Sequence, residues 1–247
     1  VRPLPPIRIF LESTILEWEG CIAAVVCLAG CNLRCPFCHS SGLTVRGDPA
    51  DDIPFDTVAA VLDGRRSWID GVVISGGEPT IHAELPDLAR EIRALGFAVK
   101  IDTNGTNPDA LAYLLEEGLV DYVAMDLKAP LEPEAYARAC GVRVDIEELR
   151  RSIALVTARA PDYEFRTTLV PGLHRPEDAA AIARAIPGAR RYILQGFRPQ
   201  ECLDASYLQR PAFPKSDLFA AATAASAHVA LAYARGERAP TPAYSED

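Results

Sequence analysis

The chain has 247 residues, long enough to bury a full core, and its 49% hydrophobic content is too high for a disordered protein. With 25 basic and 34 acidic residues its net charge is −9, which leaves no basic footprint for nucleic acid or an anionic membrane surface. No uninterrupted apolar run reaches a membrane span, and the proline-broken start "VRPLPPIRIF" lacks the apolar stretch of a signal peptide. A cytoplasmic protein is therefore expected, in a compartment where thiols stay reduced and an odd count of seven cysteines argues against a disulfide framework.

Residues 1–20 read as an N-terminal segment ahead of the first predicted strand, "CIAAVVCL" (21–28). A cysteine-rich loop follows, then a predicted helix over 55–68 that opens beside an Asp able to cap it. The strand "GVVISG" (71–76) leads to a helix over 83–95 that stops before Gly96. "FAVKID" (97–102) precedes a helix over 107–117, opened by Asn107-Pro108 and closed before Gly118. "DYVAMDL" (121–127) is followed by a helix over 145–160 that ends at Pro161. "YEFRTTLV" (163–170) leads to a helix over 175–186, stopped by Pro187-Gly188. "RYILQG" (191–196) leads to a last helix over 216–235, stopped before Gly236. These are recognised start and stop signals, and most of the strands are near-continuously apolar, as strands covered on both faces are. Six strand–helix repeats imply right-handed crossovers and a parallel sheet, short of the eight that close a barrel. The expected architecture is a single α/β domain, an open partial (β/α)6 barrel over 21–236, with 237–247 a flexible tail.

Each predicted strand ends in a polar or glycine-rich stretch: the cysteine loop, "SGGEPT" (75–80), "DTNGT" (102–106), "MDLKAP" (125–130), "RTTLVPGLH" (166–174) and "QGFRP" (195–199). All six then fall at the carboxyl ends of parallel strands, where open and closed α/β sheets place their active sites.

The densest chemistry is "CLAGCNLRCPFCHS", with Cys27, Cys31, Cys35 and Cys38 inside twelve residues. A structural zinc site takes four protein ligands, usually as two separated pairs, yet only Cys35 and Cys38 form such a pair. Cys27 and His39 are fourth ligands on paper, but Cys27 lies in the predicted strand and His39 is adjacent to Cys38. Three thiols on one loop, C-x3-C-x2-C, suggest a metal centre with one coordination position left open, the mark of a catalytic site. Zinc and buried thiols remain as alternatives. Cys21, Cys140 and Cys202 read as ordinary buried thiols.

"CNLRCPFC", including the aromatic Phe37, resembles the signature of the radical S-adenosylmethionine (SAM) enzymes, and "GGEP" (76–79) resembles their second motif. "GVVISGGEPT", "DTNG", "DYVAMDLKAP", "YEFRTTLVPGLH" and "RYILQGFRP" extend the resemblance to activating enzymes of glycyl radical enzymes, above all those of anaerobic ribonucleoside-triphosphate reductase. The resemblance covers roughly residues 13–200. It implies that Cys31, Cys35 and Cys38 hold three irons of a [4Fe-4S] cluster. SAM binds the fourth iron and is cleaved reductively to a 5′-deoxyadenosyl radical, which abstracts a hydrogen, from a glycine Cα in the activases. It further implies a low-potential flavodoxin or ferredoxin as electron donor and a glycyl radical enzyme as partner. Gly76, Gly77, Glu78 and Pro79 would meet the SAM amino group. Asp102, Thr103 and Asn104 would lie along SAM, with Gln195 from the sixth strand also on the cofactor side. Asp102 with Asp126 would hold a monovalent cation, a pairing that suits a hard ion. Lys128 and Arg166 are candidate partners of the SAM carboxylate, for which an arginine fork is well shaped.

His174 reads equally as a substrate-side group or a cap; His39 and His82 carry weaker signals, and His228, on the last predicted helix, reads as structural. One departure from the family pattern stands out. Where the activases carry an Asp-x-Pro-Gly element before the first strand, this chain has "STILEWEG" (13–20), with Glu17 and Glu19, in a turn expected near the substrate entrance. A radical SAM enzyme acting on a small molecule or modified nucleoside precursor is the alternative function, and a non-catalytic zinc protein the third.

Overall fold

The structure, a computed structural model, describes residues 3–45 and 47–235. Gly236 and the tail over 237–247 lie outside the described residues. The predicted strands are all present: β2 (Ala23–Leu28), β3 (Gly71–Gly76), β4 (Ala98–Thr103), β5 (Tyr122–Asp126), β6 (Asp162–Leu169) and β7 (Tyr192–Gly196). They pair in parallel and in chain order within one sheet.

Two further strands extend the sheet. β1 (Ile7–Thr14) pairs antiparallel with β2, from Ile7 opposite Leu28 down to Thr14 opposite Ala23. β8 (Ala232–Ala234) pairs in parallel with β7. The strand β1 is an edge strand, half-exposed and carrying Arg8 and Glu12, so it lacks the continuous apolar run of its neighbours. β8 occupies a stretch that reads as helix. The helix expected over 216–235 is only Lys215–Ala225 (α7). Beyond it the backbone turns into the sheet: His228 O accepts from Gly188 N at 2.8 Å, and Ala230 N donates to Ala189 O at 2.9 Å. Alanine is the strongest helix former, but propensity is routinely overridden by tertiary context, here the ladder on β7. His228 accordingly sits in this turn.

The remaining helices are α1 (Phe55–Asp63), α2 (Leu85–Ala94), α3 (Pro108–Glu116), α4 (Pro133–Cys140), α5 (Ile146–Arg159) and α6 (Asp178–Ala185). α1 begins after Pro54 without a side-chain cap and ends at Asp63, five residues short of the expected Trp68. α4 was not expected, although Pro133 at its start and left-handed Gly141 (φ +69°) at its end mark it. Asn107 caps α3 as the sequence suggests, accepting from Ala110 N, and Asp145 caps α5, accepting from Glu147 N.

The sheet has two unlike faces. Outside, Val26, Ile74, Ile101, Val123 and Phe165 join the large core shared with the helices. Inside, the alternate residues form a small cluster of Val25, Val73, Tyr122 and Ala124 with Trp18. Register puts Lys100 beside Tyr122 and Asp126 beside Arg166, so charged side chains share this concave face.

The sheet is not closed. At its lower end Tyr233 on β8 donates to Glu19 Oε2 at 2.7 Å, tying the two edges. The "STILEWEG" stretch belongs to this floor. Because β1 runs antiparallel to β2, residues 15–22 emerge at the end of the sheet opposite the cysteines. The turn expected at the substrate entrance is therefore a plug at the base. Trp18 is 8% exposed and packs its ring 5.7 Å from that of Tyr122. It also fills the space a side chain at Gly71 would need. The Lys100 ammonium donates down to the Glu17 carbonyl in this floor.

Candidate functional site

The cysteine loop leaves β2 at its carboxyl end and is laced to the β3 turn by backbone hydrogen bonds. Gly77 N donates to Leu28 O at 2.9 Å and Glu78 N to Gly30 O at 2.8 Å; Gly30 N in turn reaches Leu43 O at 2.8 Å. Two glycines make this approach possible. Gly76 sits at φ +126°, and a Cβ at Gly77 would lie 2.0 Å from Gly30 O. On its other side the loop rests on the end of α4, where Arg34 N donates to Cys140 O at 2.8 Å. Phe37 is buried and presents its ring edge-on to His174, 6.5 Å away.

Cys31, Cys35 and Cys38 are all free thiols, Cys35 buried and the others half-buried. Leu33 N donates to Cys31 Sγ at 3.3 Å. A hydrogen bond from Cys140 pulls the Cys35 thiol below the usual thiol range, against its burial and with help from Lys128. Burial pushes Cys31 up to about 11. The Cys27 thiol, on the concave face, is pushed up to about 11 by burial and by Asp102, and lies apart from the loop. Among the described residues no three His, Cys, Asp or Glu side chains converge on one point as a single metal ion requires. Three soft thiolate donors on one loop, with backbone N–H reaching a sulfur and a lysine nearby, fit an iron–sulfur cluster held by three cysteines.

Glu78 faces inward. It is 1% exposed; its Oε1 accepts from Thr80 N, Thr80 Oγ1 and Thr103 Oγ1, and its Oε2 accepts from Asn104 N at 2.6 Å. Burial raises its pKa, and those donors oppose the rise. The carboxylate thus joins the β3 and β4 turns. Pro79 opens a single turn of 3-10 helix that Glu78 caps. Asn104 continues the chain of contacts, donating from Nδ2 to Asn32 Oδ1 in the cysteine loop at 2.9 Å.

The ends of β4, β5 and β6 carry a buried charge cluster. Arg166, 8% exposed at its side chain, donates from Nε to Asp126 Oδ1 at 2.7 Å and lies with Nη1 3.3 Å from Asp102 Oδ1. Lys128 Nζ sits 2.8 Å from Asp126 Oδ2, and Ser75 Oγ donates to Asp102 Oδ2 at 3.0 Å. Burial opposes ionisation of Asp126, but Arg166 and Lys128 outweigh it and hold the carboxyl below the usual carboxylate range. Asp102 and Asp126, the pair expected at a monovalent cation, both lie against Arg166, and Asp102 Oδ1 is buried with no hydrogen-bond partner. Gln195, on β7, accepts from Thr168 Oγ1 at 3.4 Å.

His174 is a brace. Its Nδ1 accepts from Val170 N at 3.0 Å, which leaves the proton on Nε2 to be donated to Lys128 O at 2.8 Å. Burial lowers its pKa, in keeping with a neutral ring. His82 Nε2 donates to Ala29 O, and His39 stacks edge-on against Phe197.

Sequence reasoning missed Lys100 and Glu164. Lys100 is 1% exposed, within 3.6 Å of Asp102 and 3.8 Å of Glu164; Glu164 Oε2 accepts from Tyr122 Oη at 2.8 Å. The signal was present in "FAVKID" and "YEFRTT", where charges recur every second residue in otherwise apolar strands. Cys140 carried no such signal, lying 105 residues from Cys35 in sequence.

The Radical SAM superfamily profile matches residues 25–186. The protein named "Putative glycyl-radical enzyme activating enzyme" of Methanocaldococcus jannaschii is 32% identical over 215 residues, 84% of this chain and 85% of that one. The 7-carboxy-7-deazaguanine synthase of Rhodospirillum rubrum is 39% identical over 90 residues, 36% of each chain. Among solved structures, Streptococcus suis SuiB bound to its precursor peptide SuiA aligns with a TM-score of 0.60 at 17% identity, over 83% of this chain and 46% of that one. A profile match that runs from the first parallel strand through α6, on a sheet of the same kind, makes this chain a member of the radical SAM superfamily.

Proposed function

We propose that this chain generates a glycyl radical on a partner enzyme, with Cys31, Cys35 and Cys38 holding the [4Fe-4S] cluster. The superfamily's cofactors are that cluster and SAM, which together supply a one-electron cleavage whose carbon radical removes a hydrogen atom from the substrate. The chain's own residues prepare the ground for it. The Gly76-Gly77 turn fixes the cysteine loop against β3, and Glu78 locks that turn to Thr103 and Asn104. Lys128 sets a positive charge close to Cys35 and, with Arg166, keeps Asp126 ionised. Phe37 and His174 cover the loop from the β6 side. Gly76, Gly77, Glu78, Pro79, Asp102, Thr103, Asn104, Asp126, Lys128, Arg166 and Gln195 form the rim on which SAM would lie.

The observation that carries the activase reading is the similarity to the M. jannaschii protein across most of both chains. The open seam agrees with it. Ile9 and Leu11 pair with Cys27 and Val25 on the concave face and are 49% and 47% exposed, leaving an apolar wall where a polypeptide segment can enter. A low-potential flavodoxin or ferredoxin in a reducing cytoplasm is the donor the cluster would need. The second reading, a polar small molecule such as a nucleoside precursor, draws on the charge-lined interior and the match to the deazaguanine synthase.

The test is anaerobic incubation with SAM, reductant and a candidate glycyl radical enzyme. A glycyl signal on that partner by electron paramagnetic resonance is expected. Turnover of SAM driven by a purine or pterin, with no protein-borne radical, would replace the activase by the second reading.

A further inference from the structure

We propose that the end of α4 beside the cysteine loop, where Arg138 and Arg143 lie next to Arg34, is the docking face for an acidic one-electron carrier protein that reduces the cluster. The proposal rests on the cluster assignment above and names the surface through which the electron donor works. α4 is locked to the loop. Arg34 N donates to Cys140 O at 2.8 Å. Gly141, left-handed at φ +69°, lies so close that a Cβ there would fall 2.1 Å from Arg34 O. Arg34 itself stays over the loop, with Nη1 donating to Cys31 O at 2.6 Å and Leu33 O at 2.7 Å. In the last turns of α4, Tyr136, Ala139 and Cys140 face the core, while Arg138 is exposed. Beyond the helix Val142 and Val144 pack on the core, and Arg143 between them is exposed.

Charge selects the occupant. Arginines on the other helices are neutralised, Arg93 by Asp121, Arg151 by Asp109 and Arg159 by Glu116. Among the described residues, Arg34, Arg138 and Arg143 form no ion pair. The acids nearest in the chain are placed elsewhere: Glu134 lies in the first turn of α4, and Asp145 accepts from Glu147 N at 2.9 Å as the cap of α5. The whole chain has a net charge of −9. A positive face on such a chain attracts an acidic protein there and repels it elsewhere, which orients the encounter. Position selects electron transfer. Cys35, a proposed cluster ligand, follows Arg34 directly and is 8% exposed, so a carrier seated on this face is one thin layer of protein from the cluster. The concave face stays free for SAM. Electron-transfer encounters are small and transient, so a patch of three charges is of the right order. In the step the carrier loses one electron and the cluster gains it, with no bond made or broken.

The test is the rate of cluster reduction in the anaerobically reconstituted chain, followed by visible absorbance after rapid mixing. The probes are a reduced acidic flavodoxin, a reduced acidic ferredoxin and photoreduced 5-deazariboflavin, a small uncharged reductant. At least one carrier should reduce the wild type, at a rate that falls about tenfold as ionic strength rises from about 0.05 M to about 0.5 M. Arg138→Glu combined with Arg143→Glu should slow that carrier about tenfold or more at low salt and leave the deazariboflavin rate unchanged. Arg159→Glu, at the far end of α5, should change neither rate. A double variant reduced by the carrier at the wild-type rate overturns the proposal, as does a wild type that is indifferent to salt or untouched by both carriers. Equal slowing with carrier and deazariboflavin would make the two arginines supports of the loop, which overturns it too. A variant that the carrier reduces normally but that no longer activates a glycyl radical enzyme would assign the face to that partner instead. Reduction is read with no glycyl radical enzyme present, so the activase reading can fail while this proposal stands. Should the double variant fail to fold, the wild-type salt series decides alone.

Discussion

Glu78 illustrates how a buried charge becomes tolerable: Oε1 takes three donors, from Thr80 N, Thr80 Oγ1 and Thr103 Oγ1, and Oε2 takes Asn104 N, four hydrogen bonds in all. Replacing it by alanine would leave the hydroxyls of Thr80 and Thr103 and two backbone N–H groups without an acceptor. Glu78→Ala is expected to lower stability by about 3 kcal/mol or more, measured by urea unfolding; a loss inside the scatter of surface substitutions would show that the hub is dispensable. Asp126 supplies a pH prediction. Its native pKa lies below the ordinary value, so its contribution is full above the unfolded pKa of about 3.9 and is lost as pH falls through that value towards the native one. Wild-type stability should drop more steeply than that of Asp126→Asn between about pH 5 and pH 3. Parallel urea-midpoint curves for the two proteins would refute this.

At the scale of elements, the cysteine loop depends on the β3 turn more than on its own sequence. A methyl group at Gly77 would meet Gly30 O at 2.0 Å and Leu43 O at 2.9 Å, both backbone atoms that cannot yield without moving the loop. Gly77→Ala should therefore reduce iron bound per chain after reconstitution while far-ultraviolet circular dichroism stays close to wild type. Gly64→Ala is the control, since its added methyl meets only ordinary contacts at 3.7 Å. Equal iron loading in both variants would mean that the turn does not set the loop. The same scale explains α7 and β8. An alanine-rich run favours helix, yet the free edge of β7 overrides that preference and captures residues 232–234 as a strand.

On the whole-molecule scale, the sheet is open at one side, plugged at one end and carries the cysteine loop and the buried charges at the other. The antiparallel β1 makes this arrangement, because it carries the chain from the cysteine end down to the base and turns Trp18 inward under Tyr122. Trp18→Ala would leave a hole between Gly71 and Tyr122 and is expected to cost about 3–5 kcal/mol, read from thermal or urea unfolding. A smaller loss, under about 1 kcal/mol, would mean that the plug contributes little to the barrel. Among the described residues no helix is long and apolar enough to cross a membrane.

The sequence by itself determined the parallel strands, their order, the cysteine loop and the end of the sheet where polar residues gather. Those features are local: apolar runs of strand length, glycine and proline stops, and a ligand spacing within eight residues. Only the tertiary structure decided that Glu78 points inward, that Cys140 touches Cys35, that "STILEWEG" is a floor, and that Arg166 lies against both Asp102 and Asp126. Each of these depends on which residues of neighbouring strands and helices come side by side. That register arises from packing and hydrogen bonding across the sheet, over separations of tens to hundreds of residues, and no short stretch of the chain encodes it.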